Sequence, residues 1–145
     1  MDIINRKARF NYFIEDTIEC GISLTGTEIK SIRQGNCNIT DSYAVIRKEE
    51  VYLLNAFISH YNEGNIFNHQ ERRTRKLLLH KSEIKKLNSK IELLGYTLVP
   101  LKIYFKGGIA KVLLGLARGK KDYDKRETIK QRDISRDTMK TLKNY

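Results

Sequence analysis

From Ile18 onward the chain sets an apolar side chain at every second position, Ile18, Cys20, Ile22 and Leu24, the pattern of a strand with one buried face. Before it, from Phe10, the alternation is looser, and residues 2–9 are polar and basic, which reads as a short flexible lead-in. Gly21 inside the run predicts a bulge or sharp coil. Thr25 followed three residues later by Glu28 matches a capping box, Ile29 and Ile32 share one face, and Gly35 stands where a helix would end. A short helix is predicted there. Residues 43–47 and 51–58 read as two strands joined around Lys48, Glu49 and Glu50.

Residues 59–71 are polar and hold Asn and Gly, which predicts a long loop, and long loops in compact domains are usually functional or mobile. A basic cluster at 72–76 leads into a short strand at 77–79. Ser82 is the expected cap of a second helix whose Ile84, Leu87, Ile91 and Leu94 form one stripe, with Gly95 ending it. Leu101, Ile103 and Phe105 then alternate with Lys102, Tyr104 and Lys106, giving one buried and one wet face. Pro100 cannot donate to a ladder and must sit at an edge or bulge. Gly107-Gly108 predicts a tight turn, and residues 109–117 return as the partner strand with Val112, Leu114 and Leu116 on one side. The pattern predicts a mainly β fold with helices: an OB-like closed barrel of about six strands, two or three short helices and a basic C-terminal tail. Residues 1–9 form the lead-in, 10–117 the barrel and 118–145 the tail. The strand faces and loops of such barrels commonly bind nucleic acid.

Length and composition agree with one domain: 145 residues, 40% of them apolar, enough to bury about two-thirds of the unfolded chain's surface. Twenty-eight Lys and Arg against seventeen Asp and Glu give a net charge of +11. That charge predicts a polyanionic partner, since each cation that neutralises a phosphate releases a condensed counterion; the alternative reading is solubility alone. No apolar run approaches the ~18 residues of a membrane span, and the basic N-terminus lacks a signal-peptide core. Cys20 and Cys37 have no CxxC partner and read as reduced thiols, so the expected location is the cytoplasm, with no membrane partner and no zinc.

The tail differs in kind. Ile129, Ile134, Met139 and Leu142 are too sparse for a core-facing stripe, while ten Lys and Arg oppose five carboxylates. On a helix, Arg132, Arg136, Lys140 and Lys143 form one basic line. Local ion pairs worth ~0.2–0.5 kcal/mol each are too weak to hold that helix in water, so the tail is expected to be disordered alone and to order on a polyanion. A solvated helix packed loosely on the barrel is the alternative.

Catalytic motifs are missing. His60, His69 and His80 lack metal-ligand spacing and read as surface residues, and neither a GxSxG elbow nor a P-loop occurs. Glu15 and Asp16 are adjacent, so on a strand they point to opposite faces. Ser23, Ser42 and Cys20 have no visible partner base. The expected answer is a non-enzyme with no cofactor and no metal, with a nuclease of dispersed carboxylates as the enzyme alternative.

Six stretches, in order, carry a resemblance. They are Asn5-Arg6-Lys7-Ala8-Arg9, Tyr12-Phe13-Ile14-Glu15, Gly26-Thr27-Glu28-Ile29-Lys30-Ser31, Asp41-Ser42-Tyr43, Arg73-Thr74-Arg75-Lys76-Leu77-Leu78-Leu79, and Gly115-Leu116-Ala117-Arg118-Gly119-Lys120-Lys121 with Asp124-Lys125-Arg126 following. In this order the chain resembles the small protein B family, the SsrA-binding proteins, from Asn5 to about Arg132. The resemblance implies an OB-like barrel, acting as a monomer, that binds the tRNA-like domain of tmRNA and enters stalled ribosomes for trans-translation. It also implies a tail that becomes helical in the empty messenger channel near the small-subunit decoding centre. Elongation factor Tu and alanyl-tRNA synthetase would be met through tmRNA. A structural ribosomal component is the alternative of another class.

The same resemblance assigns roles to residues. Asn5, Glu19, Leu78, Lys111, Leu116, Ala117 and Gly119 match positions tied to tmRNA binding, and Lys7 and Arg9 lie in the first matching stretch. Glu19 makes sense only against base or ribose donors, because a carboxylate repels phosphate. Arg73, Arg75 and Lys76 suit phosphate contacts. In the tail, Lys120, Lys121, Asp124, Lys125 and Arg126 match the ribosome-engaging segment, and Tyr123, Lys130, Arg132, Ile134 and Arg136 are expected to act with them. Phe10 and Tyr123 depart from the family, which often has histidine there; stacking on a base survives either change.

Overall fold

The computed structural model describes residues 2–61, 68–121, 125–127 and 129–130. Among the described residues the elements follow in the order β1 (Ile3–Ile4), α1 (Ala8–Asn11), β2 (Tyr12–Ile22), α2 (Gly26–Arg33), β3 (Cys37–Asn38), β4 (Tyr43–Arg47), β5 (Glu50–Leu54), β6 (Phe57–Ile58), β7 (Arg75–Leu78), α3 (Lys81–Leu94), β8 (Thr97–Lys106) and β9 (Ile109–Gly119). The antiparallel pairings run β8-β4-β5-β7-β2-β9 and close through β9 with β8, giving the expected ring of six strands. Closure removes the free sheet edges that invite aggregation.

Inward-facing Ile22, Val51, Leu53, Leu77, Leu98, Ile103, Val112, Leu114 and Leu116 fill the ring. Ile32 of α2 and Ile84 and Leu87 of α3 join this core. A smaller cluster, Ala8, Val99, Leu101 and Ala117, lies beneath α1 on the other side of β8 and β9. Leu116 and Ala117, neighbours in sequence, are thus buried on opposite faces of one strand.

Local signals explain most boundaries. Thr25 accepts from the Glu28 N–H while the Glu28 carboxylate accepts from the Thr25 N–H at 2.9 Å, completing the capping box of α2. Gly35 and Gly95 take φ of 78° and 68° where α2 and α3 end, the left-handed backbone that glycine adopts without penalty. The β8–β9 register shifts between Pro100 and Lys102, as the proline requires.

Other expectations are corrected. The lead-in belongs to the barrel: Ile3 and Ile4 pair with Ile103 and Lys102, and Ile3 is buried, a contact two residues long and too short to show as a period. The bulge in β2 falls between Ile14 and Asp16 rather than at Gly21. The stretch 51–58 breaks at Asn55, whose φ of 61° turns the chain so that β6 pairs with β3 instead. Lys48 and Glu49 alone make the β4–β5 turn, with φ of 51° and 63°. Helix α3 starts one residue before Ser82, with the His80 N–H donating to the Glu83 carboxylate at 3.0 Å. Leu94, placed on the apolar stripe, is 58% exposed at the last residue of α3 and does not join the core.

Candidate nucleic-acid interface

Strand register decides which side chains share the outer face. Leu78 on β7 pairs with Gly21 on β2, Gly21 with Lys111 on β9, and Lys111 with Tyr104 on β8. Three of these four project outward in a single row, and Gly21 leaves the space that Leu78 covers: a Cβ there would sit 3.2 Å from Leu78 Cβ. Two residues along β2, Glu19 pairs with Leu113, which pairs in turn with Lys102. Glu19, Leu78 and Lys111, distant in sequence, therefore meet on one surface.

That surface is cationic around one fixed acceptor. The Tyr104 hydroxyl donates to Glu19 Oε2, and Lys106 Nζ stands 3.6 Å from Glu19 Oε1. The Tyr104 bond, aided by Lys106 and Lys111, holds the Glu19 carboxyl below the usual carboxylate range. Burial, reinforced by Glu19, pushes the Tyr104 phenol up to about 12. Glu19 is thus an ionised acceptor amid lysines, an arrangement that offers an acceptor and cations on one surface. Tyr104, Lys102 and Lys106 were visible in the sequence as a wet strand face; only the register shows that Glu19 of β2 reaches it across β9.

A groove of about 340 Å³ continues from Leu113 and Lys102 to Ile4, Asn5, Arg6 and Arg9. Asn5 is buried and ties the chain together, its Nδ2 donating to the carbonyls of Pro100 at 2.9 Å and Ile39 at 3.2 Å. Lys7 and Arg9 are exposed on α1 and its N-cap. At the far end of the β2–β9 ribbon, Phe13 lies beneath both Arg118, at 4.4 Å, and Lys120, at 4.8 Å. Lys120 Nζ also donates to the Arg9 carbonyl at 2.9 Å. Gly119 is exposed with open space where a Cβ would stand.

Not every candidate lies on this surface. Arg75 is fully buried, its Nε donating to Glu28 Oε2 and its Nη1 to the Ala56 carbonyl at 2.8 Å. It is a core cation and has no route to phosphate, which corrects its place among the phosphate-contacting residues. Arg73 bonds the other Glu28 oxygen at 2.6 Å and is about one-third exposed. Lys76 is exposed and paired with Glu50 at 2.9 Å. Leu116 is buried inside the barrel and Ala117 in the cluster under α1, so neither side chain is exposed on this surface. His69 is a core residue, bridging Thr27 Oγ1 at 2.9 Å and the Ile58 carbonyl at 2.8 Å. In the tail, the Lys125 N–H donates to the Lys121 carbonyl at 3.1 Å, and Arg126 and Lys130 are exposed. Tyr123, Asp124, Arg132, Ile134 and Arg136 lie outside the described residues.

No cluster of His, Cys, Asp and Glu among the described residues could hold a metal. Burial pushes both cysteine thiols up to about 12, so neither is a ready nucleophile. No helix among the described residues is long and apolar enough to cross a membrane.

The family model described as SmpB protein matches residues 3–144. The chain belongs to the SmpB family. An SsrA-binding protein of Ligilactobacillus salivarius is 57% identical over 141 residues, covering 97% of this chain and 91% of that protein. One from Enterococcus faecalis is 58% identical over 140 residues, covering 97% and 91%. A chain of the solved structure "tmRNA-SmpB: a journey to the center of the bacterial ribosome" superposes with a TM-score of 0.70 at 50% identity, covering 88% of this chain and 94% of that one. Both SmpB relatives and SmpB structure thus span nearly the same length as this chain.

Proposed function

We propose that this chain binds the tRNA-like part of tmRNA and carries it to stalled ribosomes for trans-translation. The observation that carries the reading is the row Leu78, Gly21, Lys111 and Tyr104, with Glu19 beside it, on the outer face of a closed barrel. Structured RNA presents phosphates, 2′-hydroxyls and exposed bases, and this face offers cations, one ionised acceptor and aromatic and aliphatic surface in return. The relatives named SsrA-binding protein and the tmRNA–SmpB structure support the same partner.

On this reading the protein acts by binding, as an adaptor without chemistry of its own, in the cytoplasm. The segment from Lys120 onward meets small-subunit RNA at the decoding centre, with Lys121, Lys125, Arg126 and Lys130 supplying charge. Elongation factor Tu and alanyl-tRNA synthetase are reached through tmRNA. The test is to crosslink the protein in growing cells and sequence the attached RNA: tmRNA should dominate over other stable RNAs. Recovery of ribosomal RNA alone, in proportion to total ribosomes, would point instead to a structural ribosomal component.

A further inference from the structure

A second tyrosine on the outer face is held in the same way as Tyr104. The Tyr52 hydroxyl on β5 donates to Glu50 Oε2 at 2.8 Å, and Lys76 Nζ on β7 donates to Glu50 Oε1 at 2.9 Å. Tyr52 and Lys76 are direct cross-strand partners. The grouping repeats that of Tyr104, Glu19 and Lys106: a phenol and an ammonium fixed by one carboxylate.

The two groups flank one row. Val51 pairs with Leu77, so Glu50 falls beside Leu78, and the row continues through Gly21 and Lys111 to Tyr104. Four strand spacings of ~4.8 Å make this path about 19 Å along the sheet. A groove of about 260 Å³ opens next to Leu78, with Lys48 and Lys81 at its rim beside Glu49 and Glu50. One N–H of Lys76 is taken by Glu50, and an ammonium has three, which leaves two for a phosphate.

We propose that Tyr52 and Lys76 form a second nucleotide-contacting cluster, so that contact with RNA continues around the barrel wall past Leu78 to β5 instead of stopping at the patch around Glu19. The Tyr52 ring supports a base or ribose, and Lys76 takes the adjoining phosphate. This rests on the reading that the face binds a tRNA-like RNA, and it adds a site to that reading.

The chain has no tryptophan, so Tyr52→Trp installs a single indole on a strand position that suits aromatics. Its emission is followed as the transcribed tRNA-like domain of tmRNA is added, beside filter-binding titrations of Tyr52→Ala, Lys76→Gln and Lys111→Gln. The indole should quench with the midpoint found by filter binding. Tyr52→Ala should weaken binding about tenfold, the loss of one stacked base. Lys76→Gln should flatten the plot of log K against log salt by about one unit. If Lys111→Gln loses affinity while Tyr52→Ala binds like the parent and the indole stays silent at saturation, the second cluster is wrong and the RNA-binding face stands. If Lys111→Gln also binds like the parent, both fall. Should Tyr52→Ala fold poorly, as urea unfolding would reveal, the indole response decides alone.

Discussion

Glu28 on α2 and Arg75 on β7 face each other in the core, and neither side chain reaches solvent. Arg75 also donates to the carbonyls of Ala56, Gln70 and Glu71, so one guanidinium fastens α2 to the chain entering β7. Removing one member of a buried pair strands the other, at a cost of about 3–5 kcal/mol. Arg75→Met is therefore expected to lower the urea unfolding free energy by that amount. Arg75→Lys should also destabilise, since an ammonium cannot reproduce the planar fork. Unfolding of Glu28→Gln combined with Arg75→Met should cost less than the two single changes added, because the first change removes the charge that the second strands.

The same pair makes stability depend on acid. Burial pushes the Glu28 carboxyl up, but bonds from Arg73, the Thr25 N–H and Arg75 together outweigh it and hold the group below its ordinary value. Burial draws the Arg75 guanidinium down from its ordinary value, yet it stays charged at any pH where the protein folds, so the carboxyl sets the titration. A depressed folded value means the contribution is complete above the ordinary carboxylate range and is lost as pH falls through the folded value. Urea midpoints taken from pH 7 downward should drop below the ordinary carboxylate range, and Glu28→Gln should be lower at pH 7 with a flatter acid limb.

Local chemistry was legible in the sequence and tertiary partnership was not. The capping box at Thr25, the turn glycines, the irregularity at Pro100 and the apolar side of β9 all follow from neighbours within a few residues. Arg75 read as a surface cation because it stands among Arg72, Arg73 and Lys76; its burial depends on Glu28, 47 residues away. His69 likewise depends on Thr27, 42 residues away. The candidate face shows the same limit. The resemblance picked out Glu19, Leu78 and Lys111, while Tyr104 entered only when the ladder set it opposite Lys111.

Glu19 offers a test in which two physical accounts predict opposite signs. If the face attracts RNA by charge alone, Glu19→Gln removes a repulsive carboxylate and binding should tighten. If Glu19 accepts hydrogen bonds from base or ribose donors, the amide is a weaker acceptor and binding should weaken, by roughly tenfold for a charge-assisted bond. We expect the second outcome in filter-binding titrations against the tRNA-like domain. Tyr104→Phe should weaken binding less, since it frees the carboxylate without removing it.

We expect the body to bind without the tail, with the division close to Gly119. Ala117 is the last buried residue of β9, and beyond it Arg118 and Lys120 rest on Phe13 at the surface. Exposed cation–π contacts of this kind contribute only ~0.5–1 kcal/mol, so ending the chain after Gly119 should leave the barrel and its outer face intact. Binding to the tRNA-like domain should change less than threefold. Tagging of a nascent chain on a message lacking a stop codon, assayed by translation in vitro with tmRNA supplied, should fall to background, because the segment proposed for the decoding centre is gone. Loss of RNA binding together with tagging would mean that the cations after Gly119 grip tmRNA directly, and the division between body and tail would then be wrong.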